Sequence, residues 1–141
     1  MGCDIHLHVE IRVNDKWEHY SEPYITRDYE LFTKLANVRN DSKVVPISDP
    51  RGLPTDISSV TALCAEWCAA DWHSHSWLSA AEIREVEEWW LARERYQGGH
   101  RFGIEQIWGY LFGNSLSGVV ESSTGYPPEV TDVRIVFWFD N

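Results

Sequence analysis

The sequence predicts an α+β domain. Its core is a small antiparallel sheet that includes the N- and C-terminal strands, covered by three to four helices. Three observations carry this. In residues 3–13, Cys3, Ile5, Leu7, Val9, Ile11 and Val13 alternate with Asp4, His6, His8, Glu10 and Arg12; a period of two marks a half-buried strand. At the other end, Val133, Ile135, Phe137 and Phe139 alternate with Arg134, Val136, Trp138 and Asp140, and the long apolar run predicts a central strand. The chain between them carries helical spacings. The order strand, strand, helices, strand gives α+β, with the two chain ends side by side. At 141 residues the chain forms a single domain, 1–141.

After the first strand, "VNDKW" supplies turn residues, and Trp17 to Tyr20 returns as a second strand. In "TRDYELFTKLANVRN", Tyr29, Phe32, Leu35 and Ala36 recur at helical spacing, with Asp28 and Glu30 at the N-terminal end. "NDSKVVPISDPRGLPTD" holds three prolines and Gly52 and reads as a functional loop. "DISSVTALCAEWCAAD" is a second helix capped by Asp56 or Ser58. "DWHSHSW" reads as a loop. In "SAAEIREVEEWWLARERY", Ser79 and Glu82 form a capping box, and Ile83, Val86 and Trp90 form the apolar stripe. "GIEQIWGYLFGNS" is a weaker helix interrupted by Gly109.

A net charge of −10 with no basic run argues against a nucleic-acid backbone as partner. No 18-residue apolar stretch spans a membrane. No secretion-signal pattern is present, and His6 breaks the myristoylation pattern. Three cysteines suit free thiols in a reducing cytoplasm. Eight tryptophans are many for this length and suit a core, a flat-ligand pocket or an interface.

Four clusters can carry chemistry, and each has a plain structural alternative. Asp4, His6, His8 and Glu10 sit roughly 6.6–7 Å apart on one strand face. They suit acid/base work or a His-x-His chelate, or else a face that meets water. "WHSHSW" places His73 and His75 before a helix start, where Ser76 and the helix amides favour an anion and Trp72 and Trp77 can stack on a base. Its alternative is a loop packed by its own tryptophans. Cys64 and Cys68, with His73 and His75, have zinc-like spacing, against ordinary buried thiols. Arg51 in "DPRGLPTD" is a guanidinium presented to a phosphate or carboxylate, or else a surface arginine paired with Asp49 or Asp56.

Taken together, Gly2–His6, "RDYELF" at Arg27–Phe32, "PRGLPTD" at Pro50–Asp56, "HSHSWL" at His73–Leu78 and "VRIVFWFDN" resemble a family of small uncharacterised bacteriophage and bacterial proteins that begin Gly-Cys-Asp-Ile-His. The resemblance shifts weight to Asp4, His6, Arg51, Asp56 and His73–Trp77 as one polar site. It leaves His8 and Glu10 to meet water. The expected function is that of a phage-type accessory protein in the host cytoplasm, able to assemble with itself. It sequesters a nucleotide-like phosphorylated small molecule of the kind used as an immune signal. Arg51, Asp56, Trp72, Ser76 and Trp77 bind the ligand, and no cofactor is called for; zinc or another divalent metal is the competing idea. A phosphodiesterase or other hydrolase is the alternative function. There Asp4 orients His6 as general base and His73 or His75 is the acid. A protein-interaction module without a small ligand is the third.

Overall fold

A computed structural model describes residues 2–67, 69–97 and 130–141 of the chain. The sheet has four antiparallel strands: β1 (Asp4–Val13), β2 (Lys16–Ser21), β3 (Trp72–Ser79) and β4 (Val130–Asp140). Their order is β2-β1-β4-β3. β4 is therefore central and pairs with β1 from Asp4↔Asp140 to Val13↔Val130, so the two chain ends lie side by side. Three helices, α1 (Tyr29–Ala36), α2 (Ser59–Glu66) and α3 (Ala80–Gln97), complete the described α+β fold. The expected helix around Gly109 lies outside the described residues.

Local chemistry explains the boundaries. The β1–β2 hairpin turns at Asn14 and Asp15, both with positive φ, as a two-residue turn matched to strand twist requires. α1 starts where the Asp28 carboxylate accepts the Leu31 amide and stops at Asn37, which takes the left-handed conformation. Ser58, rather than Asp56, caps α2. α3 opens with the expected reciprocal box: Ser79 N–H donates to Glu82 (3.0 Å) and Glu82 N–H to Ser79 Oγ (3.3 Å).

One sheet face is dry. Cys3, Ile5, Leu7, Val9, Val133, Ile135, Phe137, Phe139 and Leu78 pack against Leu31, Phe32 and Leu35 of α1 and Ile83, Val86 and Trp90 of α3. Arg93 lies buried on Trp90 and ties α3 to the start of α1 through Asp28 and Glu30.

The stretch read as a loop, 71–77, is mostly strand, and this corrects the sequence expectation. Ser74 has φ 57°, and pairing slips between His73 and Ser76. This bulge breaks the alternation that marks a strand in sequence. It puts His75, like Trp72, against Trp138, while Leu78 enters the dry core.

Candidate functional site

The second sheet face is the polar one, and it is also covered. Ala65 of α2 packs with Val136 and Trp138, flanked by Ile57, Cys64, Trp72 and Trp77. Beneath this layer His8 is 1% and Glu10 0% exposed. The expectation that these two meet water is therefore overturned. A buried charge persists only with partners, and Glu10 has them. Arg134 Nε donates to Glu10 at 2.8 Å, and the Ser58 amide donates at 3.0 Å. Both partners are far away in sequence, so the β1 pattern alone could not reveal them. His8 shares a 3.0 Å hydrogen bond with His19 and stacks on Trp138 at 4.9 Å. Burial, with His19 and His6 nearby, pushes its pKa down to about 4; it is neutral at pH 7.

The "PRGLP" loop is stitched to the edge of β3. Arg51 N–H donates to Ser76 Oγ (3.1 Å), and Gly52 N–H to the His75 carbonyl (2.8 Å). Gly52 has φ 83°, a conformation that side-chain-bearing residues rarely adopt. Arg51 then grips Glu82 of the capping box with both terminal nitrogens, donates to Ser48 and the Trp77 carbonyl, and lies 4.8 Å from the Trp77 ring centre. Its partner is Glu82, rather than Asp49 or Asp56. The guanidinium holds the Glu82 carboxyl down at about 2.

This stitching forms one wall of a cleft. The cleft has a volume of about 440 Å³, and Arg12, Trp17, Arg51, Asp56, Trp77, Asp132 and Arg134 are among the residues lining it. Arg134 binds Asp56 Oδ1 (2.7 Å) and its carbonyl (3.2 Å) as well as Glu10. Arg134, helped by the Trp17 indole N–H, keeps the Asp56 carboxyl below its usual range. Two guanidiniums lie over Trp17, Arg134 at 4.1 Å and Arg12 at 5.8 Å from its ring centre. Arg12 makes no ion pair among the described residues. Its cross-strand neighbour is Asp132.

The structure thus brings three predicted residues, Arg51, Asp56 and Trp77, to one cleft, with Ser76 holding the loop behind them. It separates the others. Asp4 makes a bidentate pair with Arg27 at 3.0 Å and does not orient His6; the His6 partner is Asp140, at 2.5 Å. His6 and Trp72 line a different cavity, with His8, Glu22, Leu63, Cys64, Trp67 and Trp138. His73 bonds Ser74 and Asn141. His75 stacks on Trp138 at 5.6 Å, and burial lowers its pKa. Asp4, His6 and Arg51 therefore do not form one site. Sequence reading missed Arg12, Trp17 and Arg134. Arg12, Asp132 and Arg134 share a face only once β1 and β4 pair in this register, while Trp17 arrives across the hairpin.

Cys68 of the zinc-like spacing lies outside the described residues. Among the described residues no three His, Cys, Asp or Glu side chains are grouped to hold a metal, and no helix is long and apolar enough to cross a membrane. No family model, curated protein or solved structure matches the chain.

Proposed function

We propose that the protein binds and sequesters a small nucleotide-like molecule in the Arg12–Trp17–Trp77 cleft. One observation carries this reading. Three guanidiniums, two indoles and two carboxylates line a single recess of ligand size. Arg51 and Arg134 are already held by carboxylates and brace the walls. Arg12 is the cation left for an anionic group. Asp56 and Asp132 disfavour a polyanion but accept hydrogen bonds from sugar hydroxyls. The two indoles and the guanidiniums on them offer flat surfaces to a base. The best match is a ligand with one anionic group, hydroxyl donors and a planar ring. The resemblance to small phage proteins supports reading that ligand as a nucleotide signal.

Sequestration is favoured over hydrolysis because none of the described residues lining the cleft is a histidine to act as base, and Asp4 is engaged with Arg27 rather than with His6. The test incubates the protein with cyclic and linear nucleotides, removes free ligand, heat-denatures the protein and analyses what is released. Intact nucleotide is the expected result. A hydrolysed product supports the phosphodiesterase alternative, and release of neither across the panel rejects ligand binding altogether.

A further inference from the structure

The second cavity on the polar face has the opposite chemistry to the cleft. Seven tryptophans lie in the described residues. Four of them carry a cationic side chain over the ring: Trp17 (Arg134, 4.1 Å), Trp77 (Arg51, 4.8 Å), Trp89 (Arg93, 4.6 Å) and Trp90 (Arg93, 4.2 Å). The remaining three, Trp67, Trp72 and Trp138, have no cation over them among the described residues, and all three line the same cavity of about 390 Å³. Among the described residues no lysine or arginine lines it. Trp138 is the floor, 1% exposed. Trp72 stands against it with ring centres 5.4 Å apart, and Trp67, 73% exposed, stands at the rim.

The charge at this cavity is negative. Glu22 lines the mouth, and its ion-pair contact among the described residues, His8 Nε2 at 3.7 Å, belongs to an imidazole that is neutral at pH 7. The Glu22 carboxylate is therefore left uncompensated by His8. Indoles beside one carboxylate form a cation–π enclosure. A primary ammonium brings three N–H donors that need acceptors; the imidazoles of His6 and His8 are bonded to Asp140 and His19, and apart from these and Glu22 the lining is ring carbon, aliphatic carbon and thiol. A fully alkylated ammonium has no donor to satisfy.

We infer that the Trp67–Trp72–Glu22 cavity is a second ligand site, one that takes a small free quaternary ammonium compound. Trp67 packs on the alkyl groups from the rim, Trp72 supplies ring surface and is backed by the buried Trp138, and Glu22 supplies the counter-charge. The ligand covers Trp67 and Leu63, which are 73% and 64% exposed without it.

The test titrates the full-length chain with choline, with its neutral carbon isostere 3,3-dimethylbutan-1-ol, and with ethanolamine, following heat by calorimetry. Saturable choline binding is expected, with both analogues at least about tenfold weaker. Trp67→Ala changes an exposed side chain, so the fold is retained; it should weaken choline by about fivefold or more. Glu22→Gln, also at the surface, should weaken it in the same direction. Equal binding of choline and its isostere overturns the inference, because the cavity is then merely apolar. So does absence of saturable choline binding, or unchanged choline affinity in both variants.

Discussion

The two faces of the sheet are buried by different means. On one, Leu7, Ile135, Phe137 and Phe139 meet α1 and α3 through carbon alone. On the other, β1 and β4 place Glu10, Arg134, His8 and Trp138 under α2, each less than a tenth exposed. The dry face is stabilised by area removed from water and tolerates changes that keep its volume. The polar face depends on partners: Glu10 is held by Arg134 on one carboxylate oxygen and by the Ser58 amide on the other. Alternation in a sequence therefore says which face of a strand is dry; it does not say that the other face is wet.

That contrast can be broken at graded cost. The largest effect is expected from Phe137→Ala, which empties a fully buried aromatic position and should cost about 4 kcal/mol in chemical denaturation. Next is Arg134→Met. It nearly conserves bulk but strands Glu10, and should cost about 3 kcal/mol. If Arg134→Met proves neutral, the polar face is held by packing like its counterpart.

The pH dependence separates the faces further. His8 takes up its proton only near pH 4 in the folded chain, against an ordinary value of 6.5. The unfolded chain binds that proton first, so stability falls as pH drops from 6.5 through about 4. His8→Phe keeps a flat ring on Trp138 and should flatten this stretch of the profile by about 3 kcal/mol relative to wild type. The Arg51–Glu82 pair works in a lower window. Glu82 is held at about 2 against an ordinary 4.5, so the stability it contributes is complete above pH 4.5 and is lost as pH falls towards 2. Arg51→Ala should lower the melting temperature at pH 6, by the equivalent of about 1–2 kcal/mol since the pair is about a quarter exposed. The gap to wild type should close below pH 4.5. A gap that stays constant with pH would mean that Arg51 contributes packing alone. Smallest is Arg12→Ala, expected within about 0.5 kcal/mol of wild type because its contact is the face of Trp17.

The dry face was legible from Cys3 to Ile11 and from Val133 to Phe139, because the period of two is unbroken along those stretches. The capping box at Ser79 and Glu82 was equally legible, being local. β3 was not, because the Ser74 bulge removes the period that would reveal it. The lining of the cleft was half legible. Arg51, Asp56 and Trp77 stand out as residues on a stiffened loop and its neighbour. Arg12, Trp17 and Arg134 read as ordinary strand residues until the register sets them around the same recess. The reverse error fell on Asp4 and His6, adjacent on one strand face yet bonded to Arg27 and Asp140 instead of each other.

In the proposed function Arg12 is the cation that receives the ligand. Titration of the nucleotide panel into wild type, Arg12→Ala and Trp67→Ala tests it most directly. At least one nucleotide should bind wild type, bind Arg12→Ala about tenfold to a hundredfold more weakly, and bind Trp67→Ala as it binds wild type. Equal affinity for wild type and Arg12→Ala, or a loss confined to Trp67→Ala, would contradict it.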